Sequence, residues 1–107
     1  MPSDQFIIVL TTYPLDNDAD SVAATLVEER LAACVNILPP MRSVYRWKDA
    51  VEHADERQMV IKTTADRLRA LETRLRGLHP YEVPELIVIS VEASSDYSSW
   101  IADSTRP

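Results

Sequence analysis

Residues 34–63 read CVNILPPMRSVYRWKDAVEHADERQMVIKT, and the fold turns on whether this stretch is one hairpin. Cys34 to Leu38 has strand composition, and Pro39-Pro40 interrupts it. Proline has no N–H to give a ladder, so that point is an edge, a bulge or a bend. Ser43 to Trp47 resumes as a strand, with Ser43, Tyr45 and Trp47 on one face. Lys48-Asp49 reads as a tight turn. Val51 to Gln58 is polar and fits strand or loop equally, whereas Met59 to Thr63 is clearly strand. If Val35–Trp47 and Val51–Thr63 are the two arms, each spans roughly 43 Å at ~3.3 Å per residue, about twice an ordinary strand. A chain of this size has a radius of gyration of about 13 Å and cannot cover both ends of such a ribbon. The overhang carries Val44, Tyr45 and Trp47, apolar surface that a second copy of the chain is expected to cover. The bland alternative folds the ribbon back at Pro39-Pro40 and buries its aromatics in the chain's own core.

Working outward, Phe6 to Thr12 is an unbroken β-branched and aromatic run, read as a strand buried on both faces and ended by Pro14. Three aspartates between Asp16 and Asp20 favour a helix start, and apolar spacing predicts a helix over about residues 18–32 with Arg30 in its last turn. Thr63 and Thr64 offer caps for a second helix, with Asp66 completing a short-acid capping box. Leu68, Leu71, Leu75 and Leu78 form its stripe, and Gly77 is placed to stop it as a left-handed residue. The arginines of this helix read as a solvated face, with Glu72 and Arg76 paired at i, i+4. A proline-stiffened connector, His79 to Glu85, leads to a last strand over Leu86–Val91. A short closing helix follows around Tyr97, Trp100 and Ile101. The order predicts an α+β, ferredoxin-like βαββαβ sandwich, with helices on one face of an antiparallel sheet. Its first and last strands, both uniformly apolar, are expected within the sheet or under cover.

The 107 residues make one domain, 1–107, with no linker, repeat or low-complexity tract. Eleven basic and 17 acidic residues leave a net charge of −6, which disfavours nucleic acid and anionic lipid. One glycine in the chain excludes a phosphate loop, a dinucleotide fingerprint and a nucleophile elbow. One cysteine excludes an internal disulfide and any multi-cysteine cluster. The apolar run Phe6–Leu10 is too short for a leader core, and no window is long enough to span a bilayer, so a cytoplasmic protein is expected.

Few residues suggest chemistry. His79 follows a helix end and lies three residues before Glu82 and six before Glu85, an arrangement able to offer nitrogen and oxygen to a transition metal. The simpler reading has the histidine bonding exposed helix carbonyls. Cys34, between Ala33 and Val35, reads first as core packing and second as a thiol ligand or nucleophile. His53 reads as solvated, and Tyr45 and Trp47 as oligomer packing ahead of a substrate platform. No serine–histidine–acid constellation is present, so no enzyme is expected.

Ala32-Ala33-Cys34-Val35-Asn36-Ile37, Pro39, Ser43-x-Tyr45-x-Trp47, Lys62-Thr63-Thr64, His79-Pro80-Tyr81-x-Val83-Pro84-Glu85 and Tyr97-x-x-Trp100 together resemble the divalent-cation tolerance protein CutA family, from about Phe6 to Ile101. The resemblance implies a ferredoxin-like homotrimer built through long β-hairpins, with Val51–Gln58 as strand. It implies a role in tolerance of copper and other divalent metals, without a required cofactor. The metal positions it implies are His79 and Cys34, with Glu82 and Glu85 as neighbours, for Cu²⁺ or another divalent cation. The alternative is a PII-like signalling trimer that holds a small metabolite in a cleft between subunits. The chain departs from the family pattern at its first strand end (Thr11-Thr12 in place of a second cysteine), at the hairpin tip (Lys48-Asp49) and before the last helix (Ser94-Ser95).

Overall fold

A computed structural model describes residues 5–107. In chain order the elements are β1 (Phe6–Pro14), α1 (Ala19–Glu28), β2 (Cys34–Ile37), β3 (Met41–Trp47), β4 (Ala50–Thr64), α2 (Leu68–Leu78), β5 (Ile87–Val91) and α3 (Ser95–Ser104). All strand pairs are antiparallel, and the sheet order is β2-β4-β1-β5, with β3 joined to the far half of β4. This is the expected ferredoxin-like arrangement.

The long hairpin forms, and Pro39-Pro40 divides its first arm into β2 and β3, both of which pair with β4. The polar stretch 51–58 is strand within the 15-residue β4. The turn Trp47-Lys48-Asp49-Ala50 is a two-residue loop with φ of 50° at Lys48 and 66° at Asp49. Positive φ at both central residues matches the right-handed twist of the arms. The ribbon stretches the molecule to 44 Å against 24 Å in the other two directions.

Period-two alternation on β1 builds the core. Ile7, Val9 and Tyr13 join Ala23 and Leu26 of α1, Leu71 and Leu75 of α2, and Met59 and Ile61 of β4. The other side of β1, with Phe6, Ile8 and Leu10, is only half-buried. The expectation of burial on both faces therefore holds on the helix side alone, because both core helices lie there. At the sheet edge, β5 carries exposed Ile87, Val88 and Ile89, so no element of the single chain covers it.

Three helix-end readings are corrected. First, α1 stops at Glu28, and Arg30 lies beyond it with φ of 60°, a left-handed exit rather than a last-turn cation. The Arg30 carbonyl accepts from Arg67 Nε at 3.2 Å, and Arg74 forks onto Glu29 at 2.9–3.2 Å, so side chains of α2 and its lead-in bind the end of α1. Second, Thr64 makes no side-chain cap. A short 3₁₀ turn, Ala65–Arg67, starts α2, and the Thr64 hydroxyl bonds Asp66 and Thr105 instead. Third, Gly77 is inside α2, and no glycine has positive φ. The helix stops because His79 turns extended (φ −88°, ψ 136°) ahead of Pro80. The Glu72–Arg76 pair forms as expected, and the Ser94 side chain caps α3 by accepting from the Tyr97 N–H.

A Cβ at Gly77 would meet nothing within 4 Å. Gly77→Ala is therefore expected to stabilise the fold by about 0.5–1 kcal/mol through the unfolded chain's lost freedom. Urea unfolding measures this, and a lower midpoint in the variant would contradict the helical placement.

Candidate functional site

Where β1 runs out, the connector from α2 to β5 crosses the root of the long ribbon. A cleft of about 550 Å³ lies there, bounded by Tyr45 and Trp47 of β3, Glu56 of β4, and Tyr81, Glu82 and Glu85 of the connector. Pro80 and Pro84 fix the connector's φ on either side of Tyr81 and Glu82, and Glu85 follows Pro84 directly.

His79 forms the wall behind it. Its ring is 9% exposed and lies between Tyr13, centroids 4.2 Å apart, and Tyr81, 4.9 Å apart. Nε2 is 2.7 Å from the Thr12 carbonyl and therefore donates, while Nδ1 accepts from the Tyr81 N–H at 3.1 Å. These two bonds select the neutral Nε2–H tautomer and tie the connector to the end of β1. Burial lowers the His79 pKa below its ordinary 6.5, against smaller opposing effects of the Thr12 carbonyl and Glu56. The lowered value means that the unfolded chain takes up the proton first. Stability is thus complete above pH 6.5 and falls as pH drops from there through the native value. At the other extreme, burial raises the Tyr13 phenol from 10 to about 12, so stability falls again as pH rises through that window. Denaturant midpoints across pH should show both flanks, and His79→Gln should flatten the acid one.

The Tyr81 hydroxyl donates to Glu56 Oε2 at 2.7 Å. Burial raises its pKa, and the Glu56 hydrogen bond and charge raise it further. Glu56 is only 6% exposed because β4 is paired on both sides there, with Pro14 of β1 and Met41 of β3. Gln58 Nε2 donates to the Thr11 carbonyl at 3.0 Å and to Glu85 Oε2 at 2.7 Å, which ties the cleft-lining Glu85 to the end of β1.

The structure brings Glu82 and Glu85 together on one cleft, with His79 directly behind it. Cys34 is not part of this group. It starts β2 opposite Lys62, on the order of 13 Å along β4 from Gln58 at ~3.3 Å per residue. Its Sγ contacts Asn36 Oδ1 at 3.9 Å. Among the described residues no three of His, Cys, Asp and Glu converge on one point, and both His79 nitrogens are engaged, so no closed metal cage exists in the single chain. Sequence reading missed Glu56 and put packing ahead of a substrate platform for Tyr45 and Trp47. The signal available for Glu56 was Tyr81, whose hydroxyl needs an acceptor once its ring is held against a wall.

Val44, Tyr45 and Trp47 are all exposed, Val44 to 60%, and Val51 across the turn to 61%. At the other end, the apolar β5 edge is joined by exposed Tyr97 and Trp100 of α3.

Comparison with known proteins gives one consistent result. Residues 7–104 match the sequence model of the CutA1 divalent ion tolerance protein. A divalent-cation tolerance protein CutA from Thermus thermophilus is 41% identical over 99 residues, covering 92% of this chain and 96% of that protein. A relative of the same description from Pectobacterium atrosepticum is 44% identical over 101 residues, covering 94% and 92%. Among solved structures, the Thermus thermophilus divalent cation tolerance protein superposes with a TM-score of 0.90 at 40% identity, covering 94% and 99%. CutA1 from Oryza sativa gives 0.90 at 36% identity, covering 95% and 94%.

Proposed function

We propose, from the premise that this chain belongs to the CutA1 divalent ion tolerance family, that it is a cytoplasmic homotrimeric binding protein acting in the response to divalent metal ions. The observation that carries the reading is family membership across residues 7–104, joined to an acidic cleft formed by the family-like His79–Glu85 connector. Glu82 and Glu85 are the oxygen donors open to a cation. Binding is weak, because neither the buried histidine nor Cys34 completes a cage in one chain. For Cu²⁺, His79 joins as a nitrogen ligand only when Nδ1 gives up the Tyr81 N–H. A binding role is supported by the make-up of the cleft, whose lining is dominated by carboxylates, aromatic rings and prolines. Among the described residues no helix is long and apolar enough to cross a membrane.

Trimerisation rests on two unpartnered apolar surfaces of different kinds: the overhanging ribbon and the β5 edge with α3. Two unlike patches joined head to tail form a closed ring when the rotation between copies closes, as a threefold rotation does for three copies. Calorimetry with Cu²⁺ on the wild type and on Glu82→Gln/Glu85→Gln tests the cation site. A weak isotherm lost in the double variant is expected, and an unchanged isotherm overturns the assignment.

A further inference from the structure

The cleft has more in it than a cation's oxygen donors. Three aromatic residues, Tyr45, Trp47 and Tyr81, and three carboxylates, Glu56, Glu82 and Glu85, surround one cavity, and no lysine, arginine or histidine lines it. Glu56 is more than nine-tenths buried and accepts a single hydrogen bond, from Tyr81. No cation pairs with it: the ion pairs among the described residues are Arg74–Glu29, Arg76–Glu72 and Arg106–Asp103. A buried carboxylate with no counter-charge is costly, and a cationic group entering the cleft removes that cost. The volume, about 550 Å³, suits a small organic molecule rather than a bare ion. Trp47 already attracts an ammonium, since Lys48 Nζ lies 5.6 Å from its ring centroid.

We propose that this cleft is a binding site for an organic ammonium ion, an aliphatic amine whose methylene body lies against Tyr45, Trp47 and Tyr81 while its charged ends meet Glu56 and the Glu82/Glu85 pair. The carboxylates set the charge of the ligand and the rings set its apolar body. An inorganic cation satisfies only the first of these, and a neutral apolar molecule only the second. This site shares Glu82 and Glu85 with the divalent-ion reading, and excess chelator separates the two ligands.

The test uses the full chain in its native assembly, with excess chelator. Putrescine is the probe, and 1,4-butanediol, which has the same carbon skeleton without the charges, is the control. Putrescine is expected to raise the melting temperature and change Trp47 fluorescence at concentrations where the diol does neither. Glu82→Gln/Glu85→Gln should weaken putrescine binding at least about tenfold, as expected for hydrogen bonds to charged groups. Glu28→Gln/Glu92→Gln, a charge-matched pair of exposed positions outside the cleft, should leave it unchanged. Glu56→Gln, which keeps an acceptor for Tyr81, should weaken it as well. Equal response to amine and diol, no binding of putrescine, or equal weakening by the two double variants would each overturn the proposal. Absence of any Cu²⁺ isotherm on the wild type would remove the divalent-ion site and leave this one standing.

Discussion

Val44→Asp combined with Val51→Asp is expected to convert an assembly of about 36 kDa, three times the 12.1 kDa chain, into single chains. Both valines stand about three-fifths exposed near the hairpin tip, so the substitutions remove almost nothing from the chain's own core. In an assembly that covers this surface, each carboxylate would be trapped without a counter-charge, at a cost of several kcal/mol per site. Sedimentation of wild type and variant decides the matter, with far-ultraviolet circular dichroism confirming that the single chain remains folded. A wild type that sediments as one chain would overturn the trimer. An unchanged mass in the variant would remove the hairpin tip from its interface.

The second large effect is at His79. Replacing it with alanine leaves the Thr12 carbonyl and the Tyr81 N–H without partners and opens a space between the Tyr13 and Tyr81 rings. Two unsatisfied polar groups and a cavity together are expected to cost about 3–4 kcal/mol. His79→Gln, able to donate to Thr12, should recover part of the loss. Urea unfolding gives both values. A loss below about 1 kcal/mol for alanine would mean that the connector is held by its prolines alone and not by the imidazole.

Much of this architecture is legible in local sequence. The Lys48-Asp49 turn, the unbroken apolar run that makes β1 a strand, and the serine-led start of α3 are set by residues within a few positions of one another. Helix ends are less legible when they depend on distant side chains. Arg30 can adopt a left-handed exit because Arg67, far along the chain, takes its carbonyl. Gly77 carries the usual mark of a helix stop, yet the extended His79 ahead of Pro80 does the stopping two residues later. The cleft was half legible. Glu82 and Glu85 flank prolines in a short connector and can be grouped by eye. Glu56 sits in a polar run, and its burial follows only from a register that places β1 and β3 on either side of it. Val51–Gln58 illustrates the same limit, because its strand conformation is imposed by pairing rather than by composition.

The division of the long ribbon also sets an order of events in time. β3 and β4 meet across a two-residue turn, so their pairing closes a minimal loop and is expected within microseconds. β1 must find β4 and β5 over separations of roughly half the chain and more, which makes completion of the sheet the slow step. The ribbon therefore exists, with Val44, Tyr45, Trp47 and Val51 bare, before the rest of the molecule is assembled. Glu52 and Asp55 are interspersed on the same β4 arm, and such charges oppose stray edge-to-edge pairing during that interval. The acidic residues that made this segment hard to read as a strand thus guard it while it folds.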